Sequence, residues 1–202
     1  MRVTMMDRSA ATVAIASWMT LGAAICFNAN AQERHDPAAL VAAQRDAMAA
    51  FKSMDGAWRG PAWILAPTGE KREFVQTERI GPFLDGSVKV IEGRGHGPDG
   101  KLTFNAFGIV SYDIAKKSYS LHSSAQGMSG DFAFAPTADG YAWQIPAGPG
   151  ATIKYVATIK DGTLSEVGDR VVPGQAPQRI FEMHLKRVGD TDWPAAGAVS
   201  PK

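Results

Sequence analysis

Beyond residue 56, apolar and polar positions alternate with a period of two. Tyr119, Leu121 and Ser123 fall on one side of a strand, against Ser118, Ser120, His122 and Ser124 on the other. Tyr141, Trp143 and Ile145 oppose Ala142 and Gln144. Ile153, Tyr155, Ala157 and Ile159 oppose Lys154, Thr158 and Lys160, and Phe181, Met183 and Leu185 oppose Glu182, His184 and Lys186. Such alternation, with one polar face, belongs to an antiparallel sheet that meets water on one side. It predicts strands near 57–66, 71–80, 86–94, 102–113, 117–126, 129–135, 140–146, 151–160, 163–172 and 178–188.

The links between these runs are short, and several carry Asp-Gly. The pairs are Asp55-Gly56, Asp85-Gly86, Asp99-Gly100, Asp139-Gly140 and Asp161-Gly162. Asp-Gly suits a tight hairpin, whose two central residues both need positive φ. The first pair is instead expected to end a helix. Asp36 is a good N-cap and Pro37 suits the first helical position. The alanine-rich stretch from Pro37 to about Ser53 then sets Leu40, Val41, Met48 and Phe51 on one stripe, which is expected to dock on the rest of the domain.

The fold class expected is therefore all-β: about ten antiparallel strands in an up-and-down barrel, with one N-terminal helix. Ten sequential strands left open would expose two edges, and closure removes both. A β-sandwich is the alternative. The domains follow: residues 1–31, a signal peptide; 32–56, a helical segment; 57–189, the barrel; and 190–202, a flexible tail in which Trp193 could still dock.

Composition and charge bear on address and partners. With 202 residues, 45% apolar and 20% charged, the chain has the make-up of one globular domain. Its net charge of +1 lacks the basic excess of a nucleic-acid module. Arg2 and Arg8 precede the apolar run Ala10–Phe27, and Ala29-Asn30-Ala31 fits the small-x-small rule for cleavage before Gln32. The run is short and alanine-rich for a membrane span, so a periplasmic or secreted protein with no stable membrane anchor after cleavage is expected. Cleavage would leave equal numbers of basic and acidic residues. It would also remove Cys26, the only cysteine, and with it any disulfide or thiolate site.

Gly56-Ala57-Trp58 resembles the G-x-W signature of lipocalin-like (calycin) barrels. The longer pattern is similar to an uncharacterised bacterial family of secreted lipocalin-like proteins: Gly56 to Gly60, Thr68-Gly69, Tyr112-Asp113, and Phe181-Glu182-Met183 leading to Leu185-Lys186-Arg187. It covers roughly residues 50–190. The resemblance implies that Trp58 lies at the closed end of the barrel and that Arg187, on the last strand, packs across it. The distantly similar nitrobindin barrels bind haem through a late histidine. His184 lies in the right region, but its neighbours Glu182 and Lys186 place it on a solvent face.

Other candidate chemistry is sparse. His35, His96, His122 and His184 show no metal-ligand spacing on one element, so no metal site is expected. Gly93-Arg94-Gly95-His96-Gly97 lacks the strand–loop–helix setting that aims backbone N–H groups at a phosphate. Gly127-Met128-Ser129-Gly130 is not a nucleophile elbow. Glu78, Glu92, Glu166 and Asp169 are candidates for pocket polar groups, with surface ion pairing the preferred reading.

The aromatic residues carry the remaining signal. Trp58, Trp63, Phe104, Phe134, Tyr141, Trp143 and Tyr155 either line one cavity or fill the core, as side chains do in narrow barrels. Tyr119, Tyr141 and Tyr155 are the candidate orienting groups, because a buried phenol needs a partner. The function expected is an exported, non-enzymatic barrel binding a small apolar ligand through Trp63, Phe104, Tyr119, Phe134, Tyr141, Trp143 and Tyr155, with no cofactor. The rivals are a haem-binding barrel, a barrel enzyme using rim carboxylates, and a filled structural barrel without ligand.

Overall fold

The computed structural model describes residues 36–193; the expected signal peptide of residues 1–31, Cys26, His35 and the tail beyond Trp193 lie outside them. Helix α1 spans Pro37–Met48 and tightens into a 3-10 turn over Ala49–Met54. Asp36 caps α1, its side chain accepting from the Ala38 N–H at 3.0 Å. Gly56, at φ +146°, turns the chain out of the helix.

Ten strands follow: β1 (Gly56–Leu65), β2 (Lys71–Phe83), β3 (Val88–His96), β4 (Leu102–Asp113), β5 (Ser118–Ala125), β6 (Met128–Thr137), β7 (Gly140–Pro146), β8 (Thr152–Lys160), β9 (Thr163–Val171) and β10 (Gln178–Gly189). Each pairs antiparallel with its sequence neighbours, and β1 pairs with β10 to close the barrel. No edge is left unpaired, which is the physical advantage of closure over a sandwich. β2 runs three residues past its expected end, through Gly81-Pro82 to Phe83. That dipeptide reads as a turn, but Gly81 serves close approach: a Cβ there would lie 2.9 Å from Thr191 and 3.2 Å from Trp193.

Two of the Asp-Gly hairpins take positive φ at both central residues, Asp85-Gly86 and Asp161-Gly162. Gln126-Gly127 does the same without an aspartate. Asp139-Gly140 does not. Gly140 opens β7, where a Cβ would collide with the Ala157 carbonyl oxygen.

The helix closes one end of the barrel. Met48, Phe51 and Met54 are buried against Trp58, Ile80, Val110, Leu121, Phe134, Leu164 and Leu185. Val41, expected on the docking stripe, is exposed, because contact with the barrel is concentrated in the last turn of α1 and the 3-10 turn. Polar contacts fix the helix as well: Tyr119 Oη donates to Ala47 O, Gln44 Nε2 to Tyr112 O and Arg45 Nε to Asp85 O. At the end of the described residues, Trp193 docks on the outer wall. Arg79 lies 4.1 Å over its ring and Phe107 packs at 5.9 Å.

Candidate functional site: the barrel interior

Strand parity decides which side chains face inward. On β1 the buried Trp58 and Ala62 mark the inner row. On β2 it is Phe74, Gln76, Glu78 and Ile80; on β9 it is Leu164, Glu166 and Gly168. The closed end lies at Trp58, Ile80 and Leu164, so Glu78 and Glu166 stand one step above the floor and Phe74 and Gly168 higher still.

The interior aromatics fall into two layers. In the lower one, Phe51 packs edge-on to Tyr119 at 5.0 Å and against Phe134 at 5.1 Å, and Phe134 stacks on Tyr141 at 5.2 Å. Phe134 and Tyr141 are buried. This half of the barrel is filled.

The upper layer is a belt of half-buried rings. Trp143 stacks on Tyr155 with centroids 4.2 Å apart and planes 12° apart. Phe132 leans on Trp143 at 6.2 Å, and Phe181 meets Tyr155 edge-on at 5.9 Å. Glycines on the same face make room. A Cβ at Gly168 would lie 2.7 Å from the Tyr155 ring, and one at Gly95 would crowd Phe74 and Phe104. These half-buried rings form the upper layer of the interior, the cup, above the packed floor.

Of the aromatics expected to line one cavity, Phe104, Trp143 and Tyr155 belong to the cup, and Tyr119, Phe134 and Tyr141 to the floor. Trp63 belongs to neither. It is an odd number of residues from Trp58 and Ala62, so the pleat turns it to the outer face, where Lys71 Nζ sits 4.7 Å over its ring. With Pro61, Val75, His96 and His184 it lines an outer groove of about 570 Å³.

The preferred reading of the four acidic residues holds for two. Glu92 pairs with Arg79 and Arg94, and Asp169 with Arg179, on the outside. Glu78 and Glu166 point inward. Burial pushes the Glu78 carboxyl up to about 8, against the pull of its bond from Gln76, and repulsion from Glu166 and Glu92 adds to the rise. Burial lifts Glu166 to about 7, with hydrogen bonding from Tyr141 and Trp143 acting the other way. Gln76, 3% exposed, donates from Nε2 to Glu78 Oε1 at 2.6 Å. A Cβ at Gly93 would fall 2.8 Å from Glu78 Oε1, so the glycine makes space for this polar cluster. The signal was present in the sequence: Gln76 and Glu78 sit between Phe74 and Ile80 on one parity, and Glu166 follows Leu164 on one parity.

Trp58 and Arg187 are register partners across the β1–β10 seam. The indole N–H donates to Met54 O at 2.9 Å. The Arg187 guanidinium donates to Asp55 O and to Asp190, and lies over Gly56. His184 is on the outer face, with Nδ1 against Ser165 Oγ at 2.9 Å and Nε2 against Glu182 at 2.7 Å. With both ring nitrogens engaged outside the wall, it does not fit an axial haem ligand in the cup. Among the described residues no cluster of three or more His, Asp or Glu side chains is arranged to hold a metal ion.

The fold thus defines a closed ten-stranded antiparallel barrel with a helix-capped floor and a polar cluster in its interior. The crystal structure of Rv2717c from M. tuberculosis is similar in fold, with a TM-score of 0.53 and 15% identity over 70% of this chain and 96% of that one. No protein-family model matches the chain, and no curated protein matches it.

Proposed function

We propose that this protein is an exported, non-catalytic carrier that holds a small, largely apolar molecule in the upper half of its barrel. One observation carries the reading. The inward belt of Trp143, Tyr155, Phe132 and Phe181 is only half-buried, although the floor below it is packed. A concave aromatic wall with a few convergent polar groups is the usual make-up of a small-molecule site. The charged run and small-residue cleavage pattern of residues 2–31 support export.

The test is fluorescence titration of the mature protein with apolar naphthalene and acyl probes. Binding should quench or shift tryptophan emission, and the change should shrink in Trp143→Phe. Probes that fail to bind at any concentration up to their solubility would overturn the carrier reading in favour of a structural barrel.

A further inference from the structure

We infer that the molecule held in this cup carries a protonated amine, seated on Glu78, Glu166 and the side-chain oxygen of Gln76, with its apolar body against the Trp143–Tyr155 wall. The inference rests on the carrier reading and names the ligand class for the same site.

Gln76 carries the first argument. Its side chain is buried and inward, and Nε2 is committed to Glu78, yet Oε1 has no hydrogen-bond partner among the described residues. A buried acceptor left unpaired loses its hydration without replacement, so it asks for a donor from whatever enters. The second argument is charge. Neither interior glutamate has a Lys or Arg partner among the described residues; the buried Lys89 is paired with Asp55. Once ionised, both carboxylates only accept. The cluster therefore presents acceptors from two strands on opposite sides of the β1–β10 seam and has no cation of its own.

A primary ammonium offers three donors and one positive charge, and so answers all three groups. It would also let both carboxyls ionise, because its charge offsets both their burial and their mutual repulsion. Protons should therefore leave as the amine binds. A carboxylate ligand offers Gln76 Oε1 no donor and brings no charge to offset ionisation of the glutamates, and an alcohol would satisfy one acceptor. The indole and phenol faces above the cluster suit a cation at their base and a flat apolar body alongside.

The experiment compares three probes on one skeleton, naphthylmethylammonium, naphthylmethanol and naphthoate, by calorimetry on the mature protein at neutral pH. Two buffers of different ionisation enthalpy report proton release. The ammonium should bind at least about tenfold more tightly than the alcohol, as expected for a charge-assisted bond in a sheltered site, and naphthoate most weakly. Binding of the ammonium should release protons. Glu78→Gln and Glu166→Gln should each reduce the ammonium preference, while the alcohol still binds and so reports an intact barrel. If the alcohol or naphthoate matches the ammonium in the unsubstituted protein, or if both variants keep the full preference, the amine inference falls and the carrier reading stands. If none of the three binds, both fall.

Discussion

Trp58 and Arg187 stand opposite one another where the first strand meets the last, and both fasten the closed end to the turn before β1. Their shares differ because their burial differs. Trp58→Ala removes a buried indole and should cost about 3–5 kcal/mol. Arg187→Ala removes an exposed side chain and should cost about 1 kcal/mol or less. Urea denaturation of the two variants checks the order; equal losses would contradict it.

The interior glutamates make stability depend on pH. Their carboxyls hold protons in the folded state up to about 8 for Glu78 and about 7 for Glu166, whereas the unfolded chain releases them near the ordinary 4.5. The folded state therefore binds more protons between those limits, and stability falls as pH rises through them. At about 1.4 kcal/mol per unit, the pair is worth several kcal/mol. The groups facing them from inside are Gln76, Tyr141, Trp143 and Tyr155, none of them a cation, and the charge of Glu92 adds repulsion from the outer face. Glu166→Gln should raise the melting temperature at pH 8 and change it little at pH 4.5. The same gain at both pH values would rule out this linkage.

Gly168 leaves room for the Tyr155 ring, which a Cβ there would approach to 2.7 Å. Gly168→Ala should cost about 1–3 kcal/mol through overpacking. It should also push Tyr155 off Trp143 and weaken binding of apolar probes. Unchanged probe affinity in a folded Gly168→Ala protein would show that the stack is not part of the wall.

His184 lies outside the barrel, tied to Ser165 and Glu182. His184→Ala should leave probe binding within about twofold and shift stability by less than about 1 kcal/mol, as surface substitutions do. A Soret band in the purified protein that is lost in this variant would restore the haem reading.

Export is checked by the intact mass of protein recovered outside the cytoplasm. Cleavage after Ala31 predicts a mature chain beginning at Gln32. A membrane-bound species that retains Met1 would count against it.

The period-two pattern by itself determined the ten strands and their antiparallel order, and the Asp36-Pro37 start with its alanine-rich stretch determined the helix, because alternation, capping and turn chemistry are local properties of the chain. Parity could also have shown that Trp63 faces away from Trp58 and that Glu78 and Glu166 face inward. Those signals lost to residue-type expectation, which puts tryptophan inside and glutamate outside. Tertiary structure alone decided the rest. Whether an inward ring fills the floor or lines the cup depends on its height along the barrel and on where the 3-10 turn plugs one end. That height is set by strand tilt and register around all ten strands. The meeting of Glu78 on β2 with Glu166 on β9 depends on closure of β1 on β10, a contact between residues more than a hundred positions apart. No local pattern encodes such a distance, and the desolvation that lifts both carboxyls exists only once the barrel has closed.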